Sequence, residues 1–185
     1  MTGPCFVDAN VLVYARDPRD PGKQQRATAW LELLWRERLG RTSVQALSET
    51  YVALRRLGVE PEDGWTRVSR YFAWNPYPVD EAVLRRGRAI EQRHRISWWD
   101  SLIVAAAQLQ ECSILLTEDL QDGAAFGDVI ARSPFTLEVR QPEAPYAALA
   151  RAASLHRPRG RRGWRRRGSD RGRQRIRRRV ASRRP

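Results

Sequence analysis

Two three-residue runs constrain this chain more than any other feature. Cys5-Phe6-Val7 and Ile114-Leu115-Leu116 are apolar at every position, and each stops at carboxylates: Asp8 after the first, Thr117-Glu118-Asp119 after the second. A strand apolar on both faces needs cover on both sides, as in the parallel sheets of α/β proteins. The spacing of apolar residues between the two runs is helical. Short buried strands separated by helices define an α/β/α sandwich around a small, mostly parallel central sheet. In such folds ligands gather at the carboxyl ends of the strands, which is where these acids fall.

The intervening helices carry recognisable boundaries. Asn10 to Tyr14 reads as the start of a helix, with Asp8 or Asn10 near its N-terminus. Asp17-Pro18 and Asp20-Pro21 predict a loop over 16–22. A helix from about Lys23 to Arg38 then aligns Ala27, Leu31 and Leu34, with Trp30 beside them and Gly40 as its stop signal. Ser43 opens the next, with Val44, Leu47, Tyr51 and Leu54 at helical spacing up to Gly58. Pro61 begins another, with Trp65, Val68 and Phe72 on its apolar side, ending before Pro76. Asp80 caps a further helix whose core candidates are Val83, Leu84 and Ile90. The stretch from Trp98 to about Gln110 is apolar all round and predicts a buried helix. Thr136 to Val139 is a candidate third strand, and Tyr146 to Leu155 a short helix.

Charge separates a body from a tail. The net charge is +13, yet residues 157–185 alone hold 15 arginines against one acid, Asp170. The preceding 156 residues carry 19 bases and 20 acids and are close to neutral. The expected organisation is a domain over 1–140, a linker or short helix over 141–156, and a disordered Arg-rich tail over 157–185. Cys5 and Cys112 lack metal-ligand spacing and cannot form a disulfide framework; with only His94 and His156, a histidine-based metal site is hard to build. No apolar run approaches 18 residues and no signal peptide opens the chain, so a cytoplasmic protein without a membrane span is expected.

Four acids stand out, each with an ordinary alternative. Asp8 ends a strand and precedes a helix, as an N-cap does. Glu49 lies off the main apolar stripe of its helix, as a solvated glutamate would. Asp100 closes Ser97-Trp98-Trp99-Asp100, a capping-box pattern, but two tryptophans and the apolar run behind it place this carboxylate near the interior. Asp119 follows the second strand, with Glu118 before it and Asp122 in a turn-like Asp-Gly pair after it. Strand ends and helix starts at one sheet edge can bring Asp8, Glu49, Asp100 and Asp119 together. Carboxylates so gathered repel one another unless a divalent cation neutralises them. Oxygen-only ligands favour Mg²⁺ or Mn²⁺ over zinc, and the chemistry of such a pocket is phosphoryl transfer.

These stretches resemble the PIN-domain ribonucleases, in particular the VapC-type toxins of prokaryotic toxin–antitoxin pairs. The likeness is carried by Phe6-Val7-Asp8-Ala9-Asn10-Val11-Leu12-Val13-Tyr14, by Leu47-Ser48-Glu49, by Ser97-Trp98-Trp99-Asp100-Ser101-Leu102-Ile103-Val104-Ala105-Ala106-Ala107, and by Leu116-Thr117-Glu118-Asp119-Leu120-Gln121-Asp122-Gly123. It spans roughly residues 4–139. The resemblance implies a PIN-like fold, Mg²⁺-dependent endonucleolytic cleavage of RNA, a homodimer, and a cognate antitoxin protein that blocks the site. It makes Asp8 and Asp100 the direct metal ligands, with Glu49 and Asp119 completing the pocket. Asn10 would orient the first acid, and Glu118 or Asp122 stands as the alternative fourth acid.

Rival readings separate on simple features. Receiver domains and haloacid-dehalogenase-type phosphatases need a catalytic lysine, whereas the lone lysine here, Lys23, precedes the second helix and position 10 is Asn. No G-x-x-x-x-G-K-[ST] run exists for a P-loop. A non-catalytic RNA-binding protein would use Arg161, Arg162, Trp164 and Arg165 of the tail for phosphate contacts and stacking. A degenerate toxin that binds its antitoxin without cutting is the third reading.

Overall fold

The computed structural model describes residues 3–136. The expected helix over 146–155 and the arginine tail lie outside the described residues, as does the expected third strand except for Thr136, which sits in a turn.

Five short strands, β1 (Cys5–Val7), β2 (Gly40–Arg41), β3 (Ile114–Leu116), β4 (Ala125–Phe126) and β5 (Val129–Arg132), form one sheet in the order β2-β1-β3-β5-β4. All neighbours run parallel except the antiparallel pair of β4 and β5. Six helices connect and cover them: α1 (Ala9–Tyr14), α2 (Pro21–Glu37), α3 (Val44–Arg56), α4 (Pro61–Ser69) with a 3₁₀ turn over Arg70–Trp74, α5 (Glu81–His94) and α6 (Trp98–Leu109). No helix among the described residues is long and apolar enough to cross a membrane.

The period-two alternation of the strands sorts the core into two layers. Cys5, Val7, Ile114 and Leu116 face one way, into a cluster with Trp30 and Leu34 of α2, Leu47 and Leu54 of α3, and Val68 of α4. Phe6 and Leu115 face the other way, against Val83 and Ile90 of α5 and the run from Leu102 to Ala107 of α6. Helices on both faces of the sheet explain why β1 and β3 tolerate no polar residue. Gly87 lets α5 settle on α6, since a Cβ there would meet the Leu102 side chain at 2.7 Å.

The chain leaves β1 toward β2 on one side and later returns to β3 on the other. Strand order therefore reverses at β1, and a crevice opens outside its carboxyl end. Asp8 is the first residue beyond that end.

Several local expectations are corrected. The loop after α1 is shorter than predicted, because Asp20 accepts from the Lys23 backbone N–H at 3.0 Å and caps a helix that already begins at Pro21. That helix ends at Arg38 as expected, but Arg38 itself, in the left-handed conformation with φ 57°, is the stop rather than Gly40. Gly40 instead lies in β2, under the Trp74 ring, where a Cβ would meet the indole at 2.5 Å. Trp65 and Phe72 are half-exposed and pack edge-on against each other at 5.8 Å between centroids, rather than lining the core. The switch to a 3₁₀ turn at Arg70 re-phases the segment, so Tyr71 and Trp74 turn inward in place of Phe72. Val44 and Leu84 also face outward.

Candidate active site

Parallel pairing of β1 with β3 sets Val7 opposite Leu116, so the next residues, Asp8 and Thr117, emerge side by side. The Asp8 N–H donates to the Leu116 carbonyl at 3.1 Å, extending the ladder by one rung. The Asp8 side chain caps α1, its Oδ1 accepting from the Ala9 N–H at 2.7 Å. Its Oδ2 accepts the Thr117 hydroxyl, also at 2.7 Å. Capping and membership of the acidic group are thus one arrangement, because the strand end and the helix start share the residue.

Thr117, which the sequence reading did not single out, is the hub. Its Oγ1 donates to Asp8 and accepts both the Asp119 backbone N–H and the Asn10 Nδ2, each at 3.1 Å. Asn10 Nδ2 also lies within hydrogen-bond reach of Asp8 Oδ2 at 3.4 Å and of Asp119 Oδ2 at 3.3 Å. One amide and one hydroxyl therefore tie the ends of β1 and β3 into a single polar unit. The signal available in the sequence was position alone, since Thr117 is the first residue after β3 as Asp8 is the first after β1.

Glu49 and Asp100 come from the adjoining helices. Glu49 sits on α3 with Oε1 accepting from Gln45 Nε2 at 3.0 Å, and the same amide group donates to the Trp99 carbonyl at 3.2 Å. Gln45 thereby couples α3 to the first turn of α6. There Ser97 caps α6 as the pattern predicts, its hydroxyl accepting the Asp100 N–H at 3.1 Å and donating to Asp100 Oδ2 at 2.7 Å.

Electrostatics link these groups. Burial pushes the Asp8 carboxyl up to about 7; the Thr117 and Ala9 hydrogen bonds oppose the rise, and the charges of Asp119 and Glu49 add to it. The Glu49 carboxyl is likewise raised, first by desolvation and then by Asp100 and Asp119, with Gln45 opposing. Glu49 thus feels all three aspartates: it raises Asp8 and is itself raised by the other two.

The two alternative acids are held elsewhere. Glu118 pairs with Lys23 at 2.6 Å, beside the Tyr14 hydroxyl that Lys23 also contacts at 3.1 Å. Asp122 binds Arg132 Nε at 2.8 Å and the Ser133 N–H at 3.0 Å, fixing the chain after β5. Arg161, Arg162, Trp164 and Arg165 lie outside the described residues.

Beside the acids runs an open cleft of about 570 Å³ between α1 and α3, bordered by Asn10, Glu49 and Asp119 at one end. Among the described residues, no three acidic, histidine or cysteine side chains stand close enough together to hold a metal ion as they are placed. The donor set nevertheless fits a hard divalent ion. Its members are oxygens, and Asn10 Oδ1, a buried acceptor amid carboxylates, has no hydrogen-bond donor. Thiol chemistry has no footing here, since both cysteines are buried and burial pushes the Cys112 thiol up to about 12.

The site is thus a small, mostly parallel sheet with an acid at its switch point and further acids on the flanking elements. The family model described as the PIN domain matches residues 5–121, well over half of the chain, and the chain belongs to the PIN-domain family. Proteins of this family are generally nucleases that work with divalent metal ions. Comparison with curated proteins returned no match.

Proposed function

We propose that the protein is an endoribonuclease dependent on Mg²⁺ or Mn²⁺, acting in the cytoplasm as the toxin of a toxin–antitoxin pair. The observation that carries the hydrolytic reading is the Asp8–Thr117–Asn10–Asp119 unit with its undonated Asn10 oxygen, facing Glu49 across the cleft. The toxin assignment rests on the likeness of the four quoted stretches to VapC-type sequences, as do the homodimer and the antitoxin.

Asp8 and Asp100 are the proposed ligands, with Asp119 and Glu49 completing the oxygen set. A divalent ion bound there supplies Lewis-acid polarisation of the scissile phosphate and of the attacking water. The protein's own groups do the rest. Thr117 and Asn10 hold the Asp8 and Asp119 carboxylates in fixed orientation. Gln45 occupies Glu49 Oε1, which leaves Oε2 to take a proton from water, and the raised affinity of this carboxyl for protons suits that role.

The test is RNA cleavage by the intact chain with Mg²⁺, with EDTA, and with the Asp100→Ala and Asp8→Asn variants. Cleavage confined to the wild type with Mg²⁺ supports the proposal. Equal cutting under all conditions removes it.

A further inference from the structure

The cleft is acidic at one end only. Along α3, Glu49 and Arg56 are seven residues apart, two helical turns, which puts both on one face about 10 Å from each other along the axis. Both border the cleft, with Val52 and Ala53 between them as an apolar wall and Val13 of α1 facing. Arg56 has no ion-pair partner among the described residues. Arg19, also at this end, differs: Asp17 grips it through Nε at 2.8 Å and Nη2 at 2.6 Å, so its charge is largely balanced. Arg55, next to Arg56 on the helix, points away and donates to the Val59 carbonyl instead. The basic end of the cleft therefore has one uncompensated charge, Arg56, framed by a neutral Asp17–Arg19 pair.

We infer that Arg56 forms a phosphate subsite in this cleft, holding a backbone phosphate of the RNA strand next to the one cleaved, while the apolar wall receives the intervening sugar and base. This inference rests on the ribonuclease reading of the acidic end. Guanidinium against phosphate is a strong, geometrically matched contact, and an arginine with no acid beside it loses no existing partner on binding. A subsite two helical turns from the acids sets the direction of the strand through the cleft.

Residue-resolved protection tests the inference in the full chain without requiring cleavage. Arg56 and Arg55 are modified with phenylglyoxal and read by mass spectrometry, in EDTA, with and without a saturating single-stranded RNA octamer. Parallel arms use DNA of the same sequence and a poly-glutamate peptide. The expected result is that RNA slows modification of Arg56 severalfold and leaves Arg55 unaffected. Unchanged reactivity at Arg56, equal protection at Arg55, or protection by the peptide but not by RNA overturns it. Protection by DNA equal to that by RNA upholds the phosphate contact and excludes any reading of the 2′-hydroxyl there.

Kinetics supply the second measurement. Arg56→Ala should lower kcat/KM on the octamer about tenfold, mostly through KM, with Arg56→Lys recovering part of the loss. The slope of log(kcat/KM) against log[salt] should also shallow by about 0.7, the signature of one lost phosphate contact on a single strand. Arg55→Ala is the control. If wild-type protein cuts RNA and Arg56→Ala keeps its KM and salt slope, the subsite fails and the nuclease stands. If wild-type protein cuts nothing while Arg56 is protected, the subsite stands and the hydrolytic reading fails.

Discussion

Thr117 donates its hydroxyl to the Asp8 carboxylate at 2.7 Å, across the seam between β1 and β3. The bond joins two residues 109 positions apart, and both are buried. It exists because the parallel register delivers them together, and it connects the fold's central pairing to the orientation of the pocket's most buried acid.

Replacing Thr117 with Val keeps the shape and removes the donor, together with the acceptor used by Asn10 and the Asp119 N–H. Thr117→Val should therefore destabilise the chain by about 1–3 kcal/mol in chemical denaturation, the usual result of leaving buried polar groups unpaired. Thr117→Ser retains the hydroxyl and should lose less stability. Activity should fall in the same order.

Asp8 also predicts a pH dependence. Its carboxyl is raised in the folded state to about 7 from an ordinary 3.8, so the fold binds this proton more tightly than the unfolded chain does. The corresponding stability is fully present below pH 3.8 and is lost as pH rises through about 7. In EDTA, Asp8→Asn removes the dependence and should exceed the wild type by on the order of 1–3 kcal/mol at pH 8, an advantage that shrinks toward pH 5. Thermal melts of both proteins between pH 5 and 8 measure the difference. Added Mn²⁺ should raise the wild-type melting temperature more at pH 8 than at pH 6, because protons compete for the same oxygens, and should do little for Asp8→Asn.

Glu118 and Asp119 are neighbours with different surroundings. Asp119→Asn should reduce cleavage at least about a hundredfold if its charge helps stabilise the transition state. Glu118→Gln breaks the ion pair with Lys23, which is partly solvent-exposed, and should cost only about 0–1 kcal/mol of stability. Its cleavage should stay near the wild-type rate. The paired measurement distinguishes the acid that touches Asn10 from the one that touches Lys23.

Gly40 tests the fold away from the pocket. The Trp74 ring that would meet its Cβ is wedged between Trp35 and Tyr71, each 5.0 Å away by ring centroid. With no room for the indole to yield, Gly40→Ala should destabilise by about 1–3 kcal/mol or more. Denaturant unfolding followed by tryptophan fluorescence reads it directly.

What the sequence made legible follows from where local physics dominates. The Asp20, Ser43, Asp80 and Ser97 caps bond within their own first turns, so side-chain chemistry alone marks those helix starts. β1 and β3 were readable because burial on both faces excludes every polar residue. β2 and β4 have two residues each, too few for any periodicity to show. The outward turn of Phe72 depends on the 3₁₀ segment that follows α4, a tertiary adjustment with no local signature. In the pocket, the acids stood out by residue type and position, whereas Thr117 acquires its place only from the partner strand across the sheet.

The acidic group hangs from four separate stretches of backbone, the first at Asp8 and the last at Asp119. A nascent chain without β3 cannot assemble the whole group, because β3, which brings Thr117 and Asp119 to Asp8, is made late and must dock beside the first strand. During translation the polar unit is thus incomplete until most of the domain has left the ribosome. On the ribonuclease reading proposed above, that delay protects the message and the machine producing it.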